Sequence, residues 1–154
     1  MEDTIKNYPD SGVYLLQLFL ANKAEHVEVG ALGKIEFPPG YYFYAGTAQK
    51  NLAARIKRHY SSDKKFHWHI DYLLDKALLE NDFVFSLPRE GECFLAELLK
   101  ENGGKILADG FGASDCSCGS HLIYFPEQKG EKIVQGILNK FDLKEEFKKY
   151  KNRE

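Results

Sequence analysis

The run GVYLLQLFL, Gly12–Leu20, constrains the fold more than any other stretch of the chain. A strand shows successive side chains to opposite faces, and this run is apolar on both, broken only by Gln17. Such a strand must be covered on each side, so the reading is a central strand inside a layered domain. The apolar stretch ends at Ala21, far short of the roughly 20 residues that span a bilayer.

The rest of the pattern fills in around that strand. Residues 24–37 place Val27, Val29, Ile35 and Phe37 on one side of the turn GALG, which predicts a hairpin covering one sheet edge. Pro38-Pro39-Gly40 breaks the chain before a second aromatic strand, YYFYAG. Asn51 is placed to cap a helix over LAARIKRHY. HIDYLLDKALL reads as a second helix, NDFVFSLP as a strand stopped by Pro88, and ECFLAELLKENGG as a third helix ended by Gly103-Gly104. DGFGASDCSCGS must be loop, HLIYFP a last short strand, and EKIVQGILNKF and LKEEFKKY two closing helices. The expected class is α+β: a small antiparallel sheet flanked by helices, with an inserted β-hairpin. At 154 residues this is one domain, 1–154, with the C-terminal helices 129–150 packed on it.

Charge narrows the partners. The net charge of −2 is low for a protein that grips nucleic acid, yet Lys50, Arg55, Lys57, Arg58, Lys64 and Lys65 are opposed only by Asp63. That segment is either a phosphate-binding patch or a solvated helix face. Three cysteines without a repeated spacing read as reduced thiols, and the polar start MEDTIKNYPD lacks the form of a secretory signal; a cytoplasmic location is expected.

Three short motifs then fall in order. Gly12-Val13-Tyr14 opens the buried strand, Tyr44-Ala45-Gly46 closes a later one, and Arg55 and His59 follow on a helix. Together they resemble the GIY-YIG nuclease superfamily from Gly12 to about Glu97. HWHIDYLL and GFGASDCSCGSHLIYF extend the resemblance, over nearly the whole chain, to an uncharacterised branch sometimes joined to endonuclease-III-type repair enzymes. The resemblance implies metal-dependent phosphodiester hydrolysis on DNA, with Mg²⁺ or Mn²⁺ as cofactor, a structure-specific DNA substrate and a repair protein as a further partner. By position it makes Tyr14 the group at the attacking water, Tyr44 the positioner of the nucleophile or phosphate, Arg55 the phosphate clamp and His59 the proton-transfer aid. A glutamate on the third helix would hold the metal. Glu92 falls at the edge of that helix's buried side and Glu97 nearer to solvent, so Glu92 is preferred and Glu97 is the alternative. The sequence departs from the family in the 29 residues between the two tyrosines, where about ten or eleven are usual.

A second polar group comprises His67, His69, Asp71, Ser114, Asp115, Cys116, Cys118 and His121. If the helix begins by His67, then His67 and Asp71 share a face; if HWH is extended, His67 and His69 do. Zinc favours such residues, but CSC is too short for the usual C-x-x-C pair, so a hydrogen-bonded network shaping a cleft wall is preferred. Lys50, Lys57, Arg58, Lys64 and Lys65 are the expected nucleic-acid contacts, while Trp68 is expected to pack into the core. The competing function is a non-catalytic module that binds nucleic acid or a repair partner, its Cys/His group structural.

Overall fold

The computed structural model describes residues 8–112, 119–126, 130–140 and 142–152. β1 (Gly12–Leu20) lies inside a four-stranded antiparallel sheet with β4 (Gly40–Ala48), β5 (Leu78–Phe85) and β6 (Leu122–Phe125), in the order β5-β1-β4-β6. Its alternating faces feed two separate cores. Tyr14, Leu16 and Leu18 pack with Leu52 and Ile56 of α1 (Leu52–Tyr60) and Ile70 and Leu73 of α2 (His69–Leu74). Val13 and Leu15 pack with Leu95 and Leu99 of α3 (Gly91–Glu101) and Val134 and Ile137 of α4 (Gly130–Lys140). α5 (Leu143–Asn152) lies on α3, where Phe94 meets Phe147 and Tyr150. Each fully buried Leu, Ile or Phe contributes about 1.5–3 kcal/mol, which is why the unbroken apolar run is tolerated only at this position. Gln17, its one polar residue, donates through Nε2 to Glu80 (2.9 Å) and Glu131 (3.1 Å). Among the described residues no helix is long and apolar enough to cross a membrane.

The α+β class with its inserted hairpin is as the sequence predicts. Three local expectations are corrected. The hairpin, β2 (Ala24–Glu28) and β3 (Lys34–Phe37), forms its own two-stranded sheet rather than covering an edge of the main one; Val27, Val29 and Phe37 turn into the α1–α2 core. Asn51 takes a left-handed conformation (φ 55°) and makes no side-chain cap. Asp10 does that work instead, its Oδ1 accepting the Asn51 N–H and its carbonyl the Leu52 N–H, each at 3.1 Å. Finally, the second helix stops at Leu74, and Leu78 and Leu79, expected to be helical, already belong to β5.

Candidate active site

The two tyrosines are brought together by strand register. Tyr14 pairs with Gly46 across β1 and β4, and Leu16 pairs with Tyr44, so Tyr14 and Tyr44 are diagonal neighbours on one face. The 29 intervening residues do not separate them, because the hairpin leaves and re-enters the sheet at Leu20 and Gly40, which are themselves paired. Gly46 is required by packing. A Cβ there would lie 2.5 Å from Cζ and Oη of Tyr14, whose ring lies across the bare backbone of its partner strand. Gly46→Ala is therefore expected to cost about 1–3 kcal/mol and to displace Tyr14, read as a lower urea midpoint with an unchanged slope. A midpoint equal to wild type would mean the ring moves aside freely. Gly112 has the same role beside Tyr44: its φ is +68°, and a Cβ would come within 2.8 Å of the Tyr44 ring.

Helix α1 supplies the other half of the site. Leu52 and Ile56 are buried one turn apart, which turns the adjacent Arg55–His59 stripe toward the tyrosines. Tyr14 Oη and His59 Nε2 are 2.8 Å apart. Arg55 donates through Nη1 to the Thr47 carbonyl (2.9 Å), and its guanidinium carbon lies 4.5 Å from the centre of the Trp68 indole. The Arg58 guanidinium lies 4.4 Å from the same centre. Arg58 is in turn held by Asp71, Nη1 to Oδ1 and Nη2 to Oδ2, both at 3.0 Å. The Asp71 carboxylate also accepts the His67 and Trp68 backbone amides at 2.8 and 2.9 Å, closing the start of α2. A chain of contacts thus runs from a fully buried carboxylate through Arg58 and Trp68 to Arg55.

Burial sets the protonation states. It pushes the Tyr14 hydroxyl up to about 12, opposed by the charge and hydrogen bonding of Arg55 and reinforced by the charges of Glu92 and Asp71. Tyr44 is raised further, chiefly by burial and then by Tyr14 and Glu92. His59 is pushed down to about 3, first by burial and then by the Lys64 charge. Neutral His59 carries one donor and one acceptor nitrogen, and the tautomer sets whether its Nε2 accepts from or donates to Tyr14 Oη. The unfolded chain protonates this histidine near its ordinary value of 6.5 while the folded chain does not, so stability falls as pH drops from 6.5 toward 3. The limiting slope is about 1.4 kcal/mol per pH unit. His59→Gln is expected to flatten the urea midpoint between pH 6.5 and 4.5; a slope identical to wild type would place the titration elsewhere. Asp71, held below the ordinary carboxylate value by Arg58 and the two amides against its own burial, acts only below that range.

Residues 13–143 match the model of the family described as domain of unknown function DUF123. The chain belongs to that family. No curated protein and no solved structure matches it.

In this DUF123 chain the other expected site residues divide. Glu92, in the first turn of α3, acts electrostatically on both Tyr14 and Tyr44. Glu97 lines a separate groove with Glu101, Glu146 and Tyr150. His67 and His69 line a common cavity of about 180 Å³ with Tyr44, Trp68 and Gly112; the helix begins at His69, between the two alternatives for HWH. His69 Nδ1 accepts the Gly112 N–H at 2.8 Å, and His121 Nε2 lies 3.4 Å from Cys93 Sγ. Both imidazoles are held below their ordinary value by burial. Ser114, Asp115, Cys116 and Cys118 lie outside the described residues. Cys93 is disulfide-bonded, which corrects the expectation of reduced thiols throughout. Among the described residues no three His, Cys, Asp or Glu side chains group to hold a metal ion.

The basic patch is smaller than its sequence. Arg58 is spent on Asp71 and the Lys65 carbonyl, and Lys64 donates to the Arg58 and His59 carbonyls at the end of α1. Lys50, Lys57 and Lys65 remain exposed. Trp68 packs half-buried against the α1–α2 core, and its ring also holds the two arginines. The signal for that second contact is its place among basic residues. The Thr47 carbonyl that orients Arg55 had no sequence signal at all.

Proposed function

We propose that this DUF123 chain is a metal-dependent endonuclease of the GIY-YIG kind, cutting a DNA phosphodiester at a branched, damaged or single-stranded site. The observation that carries the reading is the convergence of Tyr14, Tyr44, Arg55 and His59 on one face of β1 and β4, with the charge of Glu92 bearing on both tyrosines. None of these groups is adjacent in sequence to another, and a purely structural role does not call for this combination.

Tyr14 donates its proton to His59 Nε2 and so leaves its oxygen able to take one from an attacking water. The water's proton goes to Tyr14 as Tyr14's own passes to His59, which with its low pKa hands it on through solvent to the leaving alkoxide; the hydroxide forms the new P–O bond and the P–O bond to that alkoxide breaks. A hydroxyl raised to about 12 is a poor base alone, so the reaction depends on cations at its side. Arg55 is one, and its planar fork can also hold two phosphate oxygens in the transition state. Glu92 suits a hard divalent ion such as Mg²⁺ or Mn²⁺, which takes one or two carboxylates and otherwise keeps water and phosphate oxygens. Such an ion, when bound, supplies Lewis-acid polarisation of the phosphate and offsets charge.

The test is cleavage of labelled branched, nicked, single-stranded and duplex DNAs with Mg²⁺ or Mn²⁺. Metal-dependent cuts on one structure support the reading. Tight binding without cleavage on any of them would reassign the site to recognition, as a module for nucleic acid or a repair partner.

A further inference from the structure

His59 belongs to two places at once. Besides facing Tyr14, it lines a second cavity, of about 330 Å³, between the end of α1, the 61–66 loop and the start of β5. His59 is almost fully buried, and its Nδ1, the ring nitrogen turned away from Tyr14, has no hydrogen-bond partner. Of the four large apolar side chains exposed among the described residues, three border this cavity or its rim: Tyr60 (46% exposed), Phe66 (39%) and Leu78 (64%). Clustering of exposed apolar groups around one concavity marks a binding site more often than chance packing.

The aromatic groups are fixed in place before any ligand arrives. Tyr60 donates its hydroxyl to Asp82 at 2.7 Å, and Phe66 packs edge-on to Tyr72 at 5.0 Å. Ser61, Ser62 and Asp75 add hydrogen-bonding groups to the lining. Exposed Lys57 lies one helical turn before Tyr60 and Ser61, and exposed Lys65 directly precedes Phe66. Flat apolar faces, a polar edge and flanking cations match the chemistry of a nucleotide: a base to stack, an edge to hydrogen-bond, a phosphate on each side. An apolar side chain of a protein partner would need neither the lysines nor the hydroxyls.

We infer that this cavity receives one unpaired nucleobase of the DNA, an inference that rests on the nuclease reading above and names the feature that makes its substrate structure-specific. The shared wall, His59, then places the captured nucleotide next to the phosphate held by Arg55. Selectivity comes from the cost of unpairing: a base already extrahelical enters freely, whereas a paired one must first leave its stack.

Fluorescence anisotropy with three labelled duplexes tests this: one carrying a single unpaired adenine, one with an abasic residue at that position, and one fully paired. Wild type is expected to bind the first about tenfold more tightly than the other two, the scale of one base–aromatic stack. Phe66→Ala, and Ala77→Trp to fill the cavity, should each remove that preference while keeping wild-type affinity for the paired duplex; the second variant guards against a folding defect in the first. Equal wild-type affinity for the unpaired-adenine and abasic duplexes overturns the base pocket and leaves the nuclease reading standing. A preference that survives both variants also overturns it. A concentration-dependent dimer lost in Phe66→Ala, with no base preference, would reassign the surface to self-association. Failure to bind any of the three duplexes overturns both readings together.

Discussion

Arg55→Ala is expected to lower metal-dependent DNA cleavage by about 10³-fold while costing only about 1 kcal/mol of stability. The rate loss follows from the loss of a fixed cation beside both the pentavalent phosphate and the Tyr14 oxygen; arginines stabilising phosphoryl transition states contribute about 10³–10⁵-fold. The small stability loss follows from what Arg55 does in the folded chain, hydrogen bonds to the Thr47 carbonyl and to Tyr14 and one stack on Trp68, all at a half-buried side chain. Arg55→Lys keeps the charge but not the fork, and should recover less than a tenth of the lost activity. Glu92→Gln is the companion variant. On the proposed mechanism Glu92 holds the metal, and losing a charged ligand would remove several kcal/mol of transition-state stabilisation, about 10²–10⁴ in rate. Single-turnover cleavage and a urea titration are measured on each variant. Activity that survives both substitutions would trace to a contaminant or a misassigned site. A collapse of stability in Arg55→Ala would instead make Arg55 a structural residue.

What the sequence revealed and what it hid follow from the range of each interaction. The two central strands and the face that carries Tyr14 were legible because apolar alternation is local and burial on both sides leaves no other reading. The approach of Tyr14 to Tyr44 was not, since it depends on which residue of β4 meets which residue of β1 across a hairpin of variable length. The boundary between α2 and β5 is not legible because Ala77-Leu78-Leu79 fits either period, and what ends the helix is the turn at Asp75-Lys76. The charge of a segment is a sum, whereas its availability is decided residue by residue. Lys57 and Lys65 face water, but Arg58 and Lys64, in the same run, are consumed by Asp71 and by the carbonyls that end α1. A basic stretch therefore overstates a basic surface wherever a buried acid lies a few residues downstream.

That buried acid carries the second large effect. Asp71→Ala is expected to destabilise the fold by about 3–5 kcal/mol, measured by denaturant unfolding at pH 7. The carboxylate is fully buried and accepts two hydrogen bonds from Arg58 and one each from the His67 and Trp68 amides, with Lys64 Nζ at 4.0 Å. Truncation leaves those donors unsatisfied together, and Lys64, whose side chain is only 8% exposed, loses the anion that offsets its burial. Arg58, at 27%, can turn partly to water, which keeps the cost from rising further. Because the folded carboxyl titrates below its ordinary value, its contribution is present above about pH 4 and fades as pH falls through the folded pKa. The wild-type advantage over Asp71→Ala should therefore narrow in acid. Arg58→Ala separates the pair from the cap: it removes the ion pair but leaves both amide bonds, so it should cost clearly less than Asp71→Ala. Equal losses would mean that the guanidinium, rather than the helix cap, is what Asp71 is there to hold. Either way the loss reaches the site, since Arg58 and Arg55 share the Trp68 ring; cleavage by whatever fraction of Asp71→Ala remains folded should also fall.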